Sequence, residues 1–150
     1  MPVEPTPIGG LDHAILGELR REGRISWREL GERVGLGPTA TADRVRRLES
    51  IGLIRGYHAD VDLGALGMGL RALTELRLES GTTYEEFEAT LRATPEVQLA
   101  FHVTGALDYV LMLACPDVAT LDRILSEWRS DHGVVESSTR ILLRDIDLYE

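Results

Sequence analysis

Ser26-Trp27-Arg28-Glu29-Leu30-Gly31-Glu32-Arg33-Val34-Gly35-Leu36-Gly37-Pro38-Thr39-Ala40-Thr41-Ala42-Asp43-Arg44-Val45-Arg46-Arg47-Leu48 is the stretch on which the first half of this chain turns. Ser26 followed three residues later by Glu29 has the form of a capping box, so a short helix should run from Trp27 to about Val34 and bury Leu30 and Val34. Gly35-Leu36-Gly37 then supplies a tight reversal, with Leu36 plugging the angle between two helices. Pro38 suits the first turn of the next helix, where its missing N–H costs nothing. Ala42, Val45 and Leu48 continue as an apolar stripe, and Thr39, Thr41, Asp43, Arg44 and Arg47 occupy the opposite face.

Working outward from this stretch, Leu11 to Glu22 places Leu11, Ile15, Leu16 and Leu19 at helical spacing, with Asp12 in the N-terminal turn and Gly23 as a stop. After the third helix, Gly52 ends the pattern, and Leu53 to Asp60 reads as two short strands around Gly56, a small hairpin. Residues 1–10 carry three prolines and two glycines and read as an irregular lead-in. A helix, a glycine-containing turn and a second helix with hydroxyl and basic residues at its exposed start make the minimum device for reading a major groove. Arginine grips guanine O6 and N7 or a phosphate with two prongs, and hydroxyls bond phosphates. The same arginines also suit a solvated helix surface paired with Asp43 and Glu49.

Charge bears on that choice. A net charge of -9, taken as one number, opposes binding to a polyanion. Residues 1–60, however, hold 9 arginines and 9 acidic residues, whereas 61–150 hold 7 arginines and 16 acidic residues, so the excess negative charge lies wholly in the second part. Between residues 39 and 55, Arg44, Arg46, Arg47 and Arg55 face only Asp43 and Glu49. The acidic total therefore does not exclude DNA.

The glycines at 64, 67 and 69 mark a linker over residues 61–68. Beyond it the pattern is strand over Gly69 to Glu79, helix capped by Thr83 and Glu86, strand over Val97 to Val103, strand over Tyr109 to Cys115, helix capped by Asp117, and strand over Val134 to Leu143. That order is the split βαβ of ferredoxin-like folds. The expected fold class is α+β: a winged helix-turn-helix over 11–60 joined to a ferredoxin-like βαββαβ domain over 69–150. A domain of this size with helices on one face leaves an apolar sheet surface that a partner subunit closes, so an even-numbered homo-oligomer is expected.

No window approaches the ~18 apolar residues of a membrane helix, and the N-terminus lacks the basic start and apolar core of a signal peptide, which predicts a cytoplasmic protein with no membrane partner. The single cysteine, Cys115, sits in an apolar run and reads as a buried structural thiol. His13, His58, His102 and His132 are scattered, without the spacing of a metal site, and no phosphate loop or nucleophile–base pattern is present. Neither a cofactor nor catalysis is expected. His102, on a strand beside a turn, is the one histidine placed to serve a site.

Several motifs occur together and in order: Leu11-Asp12, Gly23-Arg24-Ile25-Ser26, Glu29-Leu30, Val34-Gly35-Leu36, Pro38-Thr39, Arg44-Val45-Arg46-Arg47-Leu48-Glu49, and Gly52 through Tyr57. Together they resemble the N-terminal module of the Lrp/AsnC, or feast/famine, regulators, and Val103-Thr104-Gly105 with Asp108-Tyr109, then Gly133-Val134, resemble that family's effector domain. The resemblance covers about residues 11 to 148. It implies a transcriptional regulator that binds operator DNA, with Ser26, Thr39, Thr41, Arg44, Arg47 and Arg55 as the candidate contacts. It also implies pairing of C-terminal sheets into dimers, assembly of dimers into tetramers or octamers, and a small-ligand pocket at subunit contacts, typically for amino acids. That pocket maps onto Thr104, Gly105, Ala106 and Asp108, with Ser137 and Thr139 of the last strand. Glycine lets a ligand approach backbone N–H groups, Asp108 can hold an α-ammonium, and hydroxyls can bond a carboxylate. Three positions depart from the family pattern: Gly37 replaces a capping serine, at a cost of only a few tenths of a kcal/mol, Ala106 replaces an acidic residue, and Leu107 an aromatic. The alternatives within reach of the resemblance are an architectural DNA-binding protein without a ligand and a tetrapyrrole decarboxylase on the related sirohaem decarboxylase fold.

Overall fold

The computed structural model describes residues 7–146. Residues 1–6 of the expected lead-in and 147–150 of the expected second domain lie outside the described residues. The chain divides into two compact units, one ending at Asp60 and the other beginning at Val61.

The first unit holds α1 (Gly10–Arg21), α2 (Trp27–Val34) and α3 (Pro38–Ser50). Ile15, Leu19, Ile25, Leu30, Val45 and Leu48 form its core, with Leu16, Val34, Leu36 and Ile54 packed around them. Each helix starts and stops for a local reason. Ser26 Oγ accepts the Glu29 amide at 3.1 Å to cap α2. The reciprocal half of the expected capping box is absent, because the Glu29 carboxylate accepts from Arg33 at 2.6 Å. Gly35 ends α2 in the left-handed region (φ 75°, ψ 35°), where a side chain would be strained. Leu36 N then donates to Gly31 O at 2.8 Å, drawing the turn back against the helix.

Helix α3 closes with a Schellman motif: Gly52 N donates to Glu49 O at 2.9 Å and Leu53 N to Leu48 O at 3.0 Å. This overturns the expectation of a hairpin over Leu53 to Asp60, where no residue is in a strand. The amides of Leu53 and Ile54 are both spent on Leu48 O, and Tyr57 Oη donates to Glu49 at 2.8 Å, holding the segment along α3. Two four-residue strands with no third strand to join are marginal in water, so helix capping wins.

The second unit is a four-stranded antiparallel sheet with the order β2-β3-β1-β4, built from β1 (Leu70–Leu78), β2 (Val97–His102), β3 (Tyr109–Cys115) and β4 (Val134–Ile141). Its helices are α4 (Tyr84–Ala93) and α5 (Val118–Asp131). Thr83 and Glu86 form a complete capping box at α4, and Asp117 accepts the Thr120 amide at 2.7 Å to start α5. The period-2 alternation sends Ala72, Leu76 and Leu78 of β1 and Tyr109, Leu111, Leu113 and Cys115 of β3 into the core, where Phe87, Leu91, Leu121, Ile124, Leu125 and Trp128 meet them from the helices. Cys115 is fully buried, as expected, and desolvation pushes its thiol pKa up, which disfavours the thiolate. The opposite sheet face is uncovered in one chain. Phe101 pairs with Val110 and Leu99 with Met112 across β2 and β3, and Phe101 and Leu99 are 55% and 49% exposed.

Candidate DNA interface and ligand site

The exposed start of α3 follows from its sequence. Pro38 occupies the first turn, and Pro38, Thr39 and Ala40 are all exposed. The N–H groups of a first helical turn have no intrahelical acceptor, and with the helix dipole they favour an anion. Thr39 therefore presents a hydroxyl beside unpaired amides, an arrangement suited to a phosphate. Ser26 at the start of α2 is exposed too; its oxygen accepts from Glu29 N, and its O–H remains able to donate.

Thr41 must be removed from the candidate DNA contacts. It is fully buried, its Oγ1 donates to Gly37 O at 2.9 Å, and it packs where a Cβ on Gly31 would come within 2.9 Å of it. A helical period of 3.6 turns residue 41 toward the side of Val45 and Leu48, so Thr41 lies at the edge of the core stripe and not on the outer face.

Arg44 and Arg47, one turn apart, both reach Asp12 of α1: Arg44 Nη1 lies 2.9 Å from Oδ1 and Arg47 Nη1 3.4 Å from Oδ2. The side chain of Asp12 is 3% exposed, against 38% and 50% for the two arginines. The Gly9 amide donates to Oδ2 at 3.1 Å, which closes the start of α1. Sequence reading assigned Asp12 to helix capping alone and missed its role beside α3. A signal was present, since residues 12, 15, 16 and 19 form one helical stripe and Asp12 is its only charged member. Arg46 instead pairs outward with Asp43 at 2.9 Å, and Arg55 is exposed.

The Gly9 amide, followed by the guanidinium of Arg44 and the charge of Arg47, holds the Asp12 carboxyl below its ordinary pKa of 3.8. A depressed folded-state pKa adds stability that is complete above the unfolded-chain value and disappears as pH falls through the folded one. The stability gap between wild type and Asp12→Asn, read from urea midpoints of the first unit, is expected to be constant from about pH 7 to 5 and to shrink below about pH 4. A gap that stays constant to pH 3 would contradict the pairing.

In the second unit Thr104, Gly105 and Ala106 form an exposed turn between β2 and β3, with Gly105 at φ 116°. Asp108 is tied to β1: its Oδ2 accepts the Leu78 amide at 2.8 Å, and its own amide donates to Leu76 O at 2.9 Å. The register of β1 against β4 shifts between Arg77 and Leu78, so this carboxylate takes an amide at the irregularity in the ladder. Ser137 and Thr139 pair with Leu76 and Thr74 on the helix-covered face. Thr139 shares a 2.9 Å hydrogen bond with buried Thr74, and Ser137 accepts from Arg129 of α5 at 3.4 Å. Within one chain these two hydroxyls are not brought to the turn, because β1 stands between β4 and β3. A separate cavity of about 360 Å³ includes Glu79, Thr82, Glu86, Asp131 and His132 in its lining and none of the expected ligand residues. His102 packs beside Tyr109 (centroids 4.9 Å, near-parallel) and Tyr84 (4.2 Å), as an aromatic contact on the sheet edge. Among the described residues no cluster of His, Cys, Asp and Glu is arranged for a metal ion, and no helix is long and apolar enough to cross a membrane.

Residues 71–148 match the model of the Lrp/AsnC ligand binding domain, and residues 10–55 match a winged helix-turn-helix DNA-binding model. The leucine-responsive regulatory protein of Salmonella typhimurium is 36% identical over 139 residues, spanning 91% of this chain and 85% of that protein. Among solved structures, a transcriptional regulator from Neisseria meningitidis in complex with L-Met superposes with a TM-score of 0.87 at 30% identity, covering 94% of this chain and 93% of the other. A feast or famine regulatory protein from M. tuberculosis complexed with L-methionine gives 0.84 at 29% identity, covering 94% and 95%. The helix-turn-helix unit, the β2-β3-β1-β4 sheet unit and these matches across nearly the whole chain place the protein in the Lrp/AsnC family of DNA-binding transcriptional regulators.

Proposed function

We propose that this regulator binds operator DNA as a homo-oligomer through the N-terminus of α3 and that a small ligand, an amino acid, shifts that binding. Thr39, Arg44 and Arg47 address the major groove, with Ser26 and Arg55 on flanking phosphates. The observation that carries this reading is the exposed first turn of α3, followed one and two turns later by two arginines in fixed positions. The apolar sheet face around Leu99 and Phe101 supports assembly through a second copy, because Leu73, Val110 and Met112 extend it across the sheet. The exposed turn of Thr104, Gly105 and Ala106, backed by Asp108, is the part of the ligand site that one chain supplies. Two structural relatives solved in complex with L-methionine support the ligand class.

The test is fluorescence anisotropy with the duplex upstream of the protein's own gene against a scrambled duplex, with and without a mixture of amino acids. The expected result is sequence-dependent binding that falls steeply with salt and shifts about five- to hundredfold with the mixture. Specific binding indifferent to every amino acid would instead favour an architectural DNA-binding role. Equal binding to both duplexes would contradict recognition of that site.

A further inference from the structure

The buried carboxylate beside the DNA-reading helix does more than start α1. We propose that Asp12 is a specificity-determining positioning residue, which holds the guanidinium groups of Arg44 and Arg47 in one arrangement before DNA arrives and offsets part of their charge; the inference rests on the DNA-binding reading above.

One Asp12 oxygen accepts from Arg44 at 2.9 Å, and the other accepts from Arg47 at 3.4 Å and from the Gly9 amide at 3.1 Å. The carboxylate is shut away from solvent while both arginines remain a third to a half exposed. A guanidinium carries five N–H donors in a rigid fork, so donating one or two to Asp12 leaves others directed outward. A buried carboxylate stripped of its cationic partners is costly, so the arginines stay on Asp12 when a phosphate approaches. Two consequences follow for DNA. Immobilising the two long side chains in advance removes an ordering cost from base contact. Offsetting their charge lowers the sequence-independent attraction to phosphate. Both effects favour the correct sequence over any other.

Asp12→Asn tests this, because an amide oxygen can still accept the Gly9 N–H while the charge is gone. The probes are a duplex enriched from a random library by the wild-type protein and a scrambled duplex of equal length. The variant is expected to bind the enriched duplex about tenfold more weakly. It should bind the scrambled duplex at least as well as wild type, with the slope of log affinity against log salt steeper by about one to two. Equal losses on both duplexes, with slope unchanged, would reduce Asp12 to a structural role and overturn the proposal. Nitrogen-15 spectra of the wild-type arginine side chains give a reading that does not depend on the variant's folding. Separate, slowly exchanging Nη–H signals for Arg44 and Arg47 in the free protein are expected, because each donates through Nη1 to Asp12, and averaged, fast-exchanging signals would refute the clamp. A wild type that enriches no duplex would refute the DNA reading and this inference together, whereas equal discrimination by wild type and variant would refute the role of Asp12 alone.

Discussion

Gly31→Val is expected to lower the melting temperature of the first unit by about 10–20 °C and to remove specific DNA binding at 37 °C, without moving the transition of the sheet unit. Gly31 lies inside α2, where glycine is unfavourable by roughly 1 kcal/mol, so its presence needs a steric reason. A Cβ there would stand 2.5 Å from the main-chain oxygen of Leu36 and 2.9 Å from Oγ1 of Thr41. Neither neighbour can yield easily: Leu36 N is bonded back to Gly31 O, and Thr41 is bonded to Gly37 O. Gly31 is thus the point where α2 touches the turn and the first turn of α3, and a branched side chain would prise the DNA-reading helix from its support. Overpacking of this kind costs about 1–3 kcal/mol. A unit of this size holds only about 3–8 kcal/mol in total. Circular dichroism melts of wild type and variant check the outcome, and an unchanged first transition would show that the contact is not a tight one in solution.

The second large effect concerns assembly. Phe101→Asp is expected to disperse the oligomer to monomers and to weaken operator binding by about a hundredfold or more, because two linked DNA-reading units gain that much from effective concentration. Phe101 is 55% exposed in the single chain, so replacing it does not open the core of the sheet unit. A carboxylate placed between Leu99 and Val110 would, however, have to be desolvated when two such faces close. The cross-strand ion pair of Arg140 with Glu75 at 2.7 Å lies on the same face and already occupies that cation. Sedimentation velocity gives the answer directly. An oligomer that survives the substitution would place the subunit interface on another surface.

Capping and period were sufficient to read most of the architecture from sequence. Ser26, Thr83 and Asp117 start their helices where their hydroxyl or carboxylate oxygens can accept an amide three residues on, and the alternation in Leu70 to Leu78 places four side chains inward. The expected hairpin after α3 failed for an energetic reason: Leu53 and Ile54 look like strand residues, yet both their amides are taken by Leu48 O, and the Schellman motif closed by Gly52 and Leu53 is a competitor that β-propensity does not register. Thr41 failed for a geometric one, because a helix wheel leaves residues at the border of the stripe undecided and packing against Gly31 settles the matter. Asp12 was overlooked because its partners lie 32 and 35 residues away. Only its place in an otherwise apolar stripe hinted at a buried charge awaiting a cation. The ligand site is the least legible part, since a pocket of the proposed kind, shared between subunits, would leave one chain with a turn, a tethered carboxylate and two hydroxyls facing elsewhere.

The most direct test of DNA reading by α3 is dimethyl sulfate protection of guanine N7 on the enriched duplex, with wild type and Arg44→Ala side by side. The expected result is protection of guanines in the major groove of each half-site by wild type, with at least one protected guanine per half-site becoming reactive in the variant while phosphate footprints persist. Full reactivity at every guanine under saturating wild-type protein, or protection indifferent to Arg44, would contradict it.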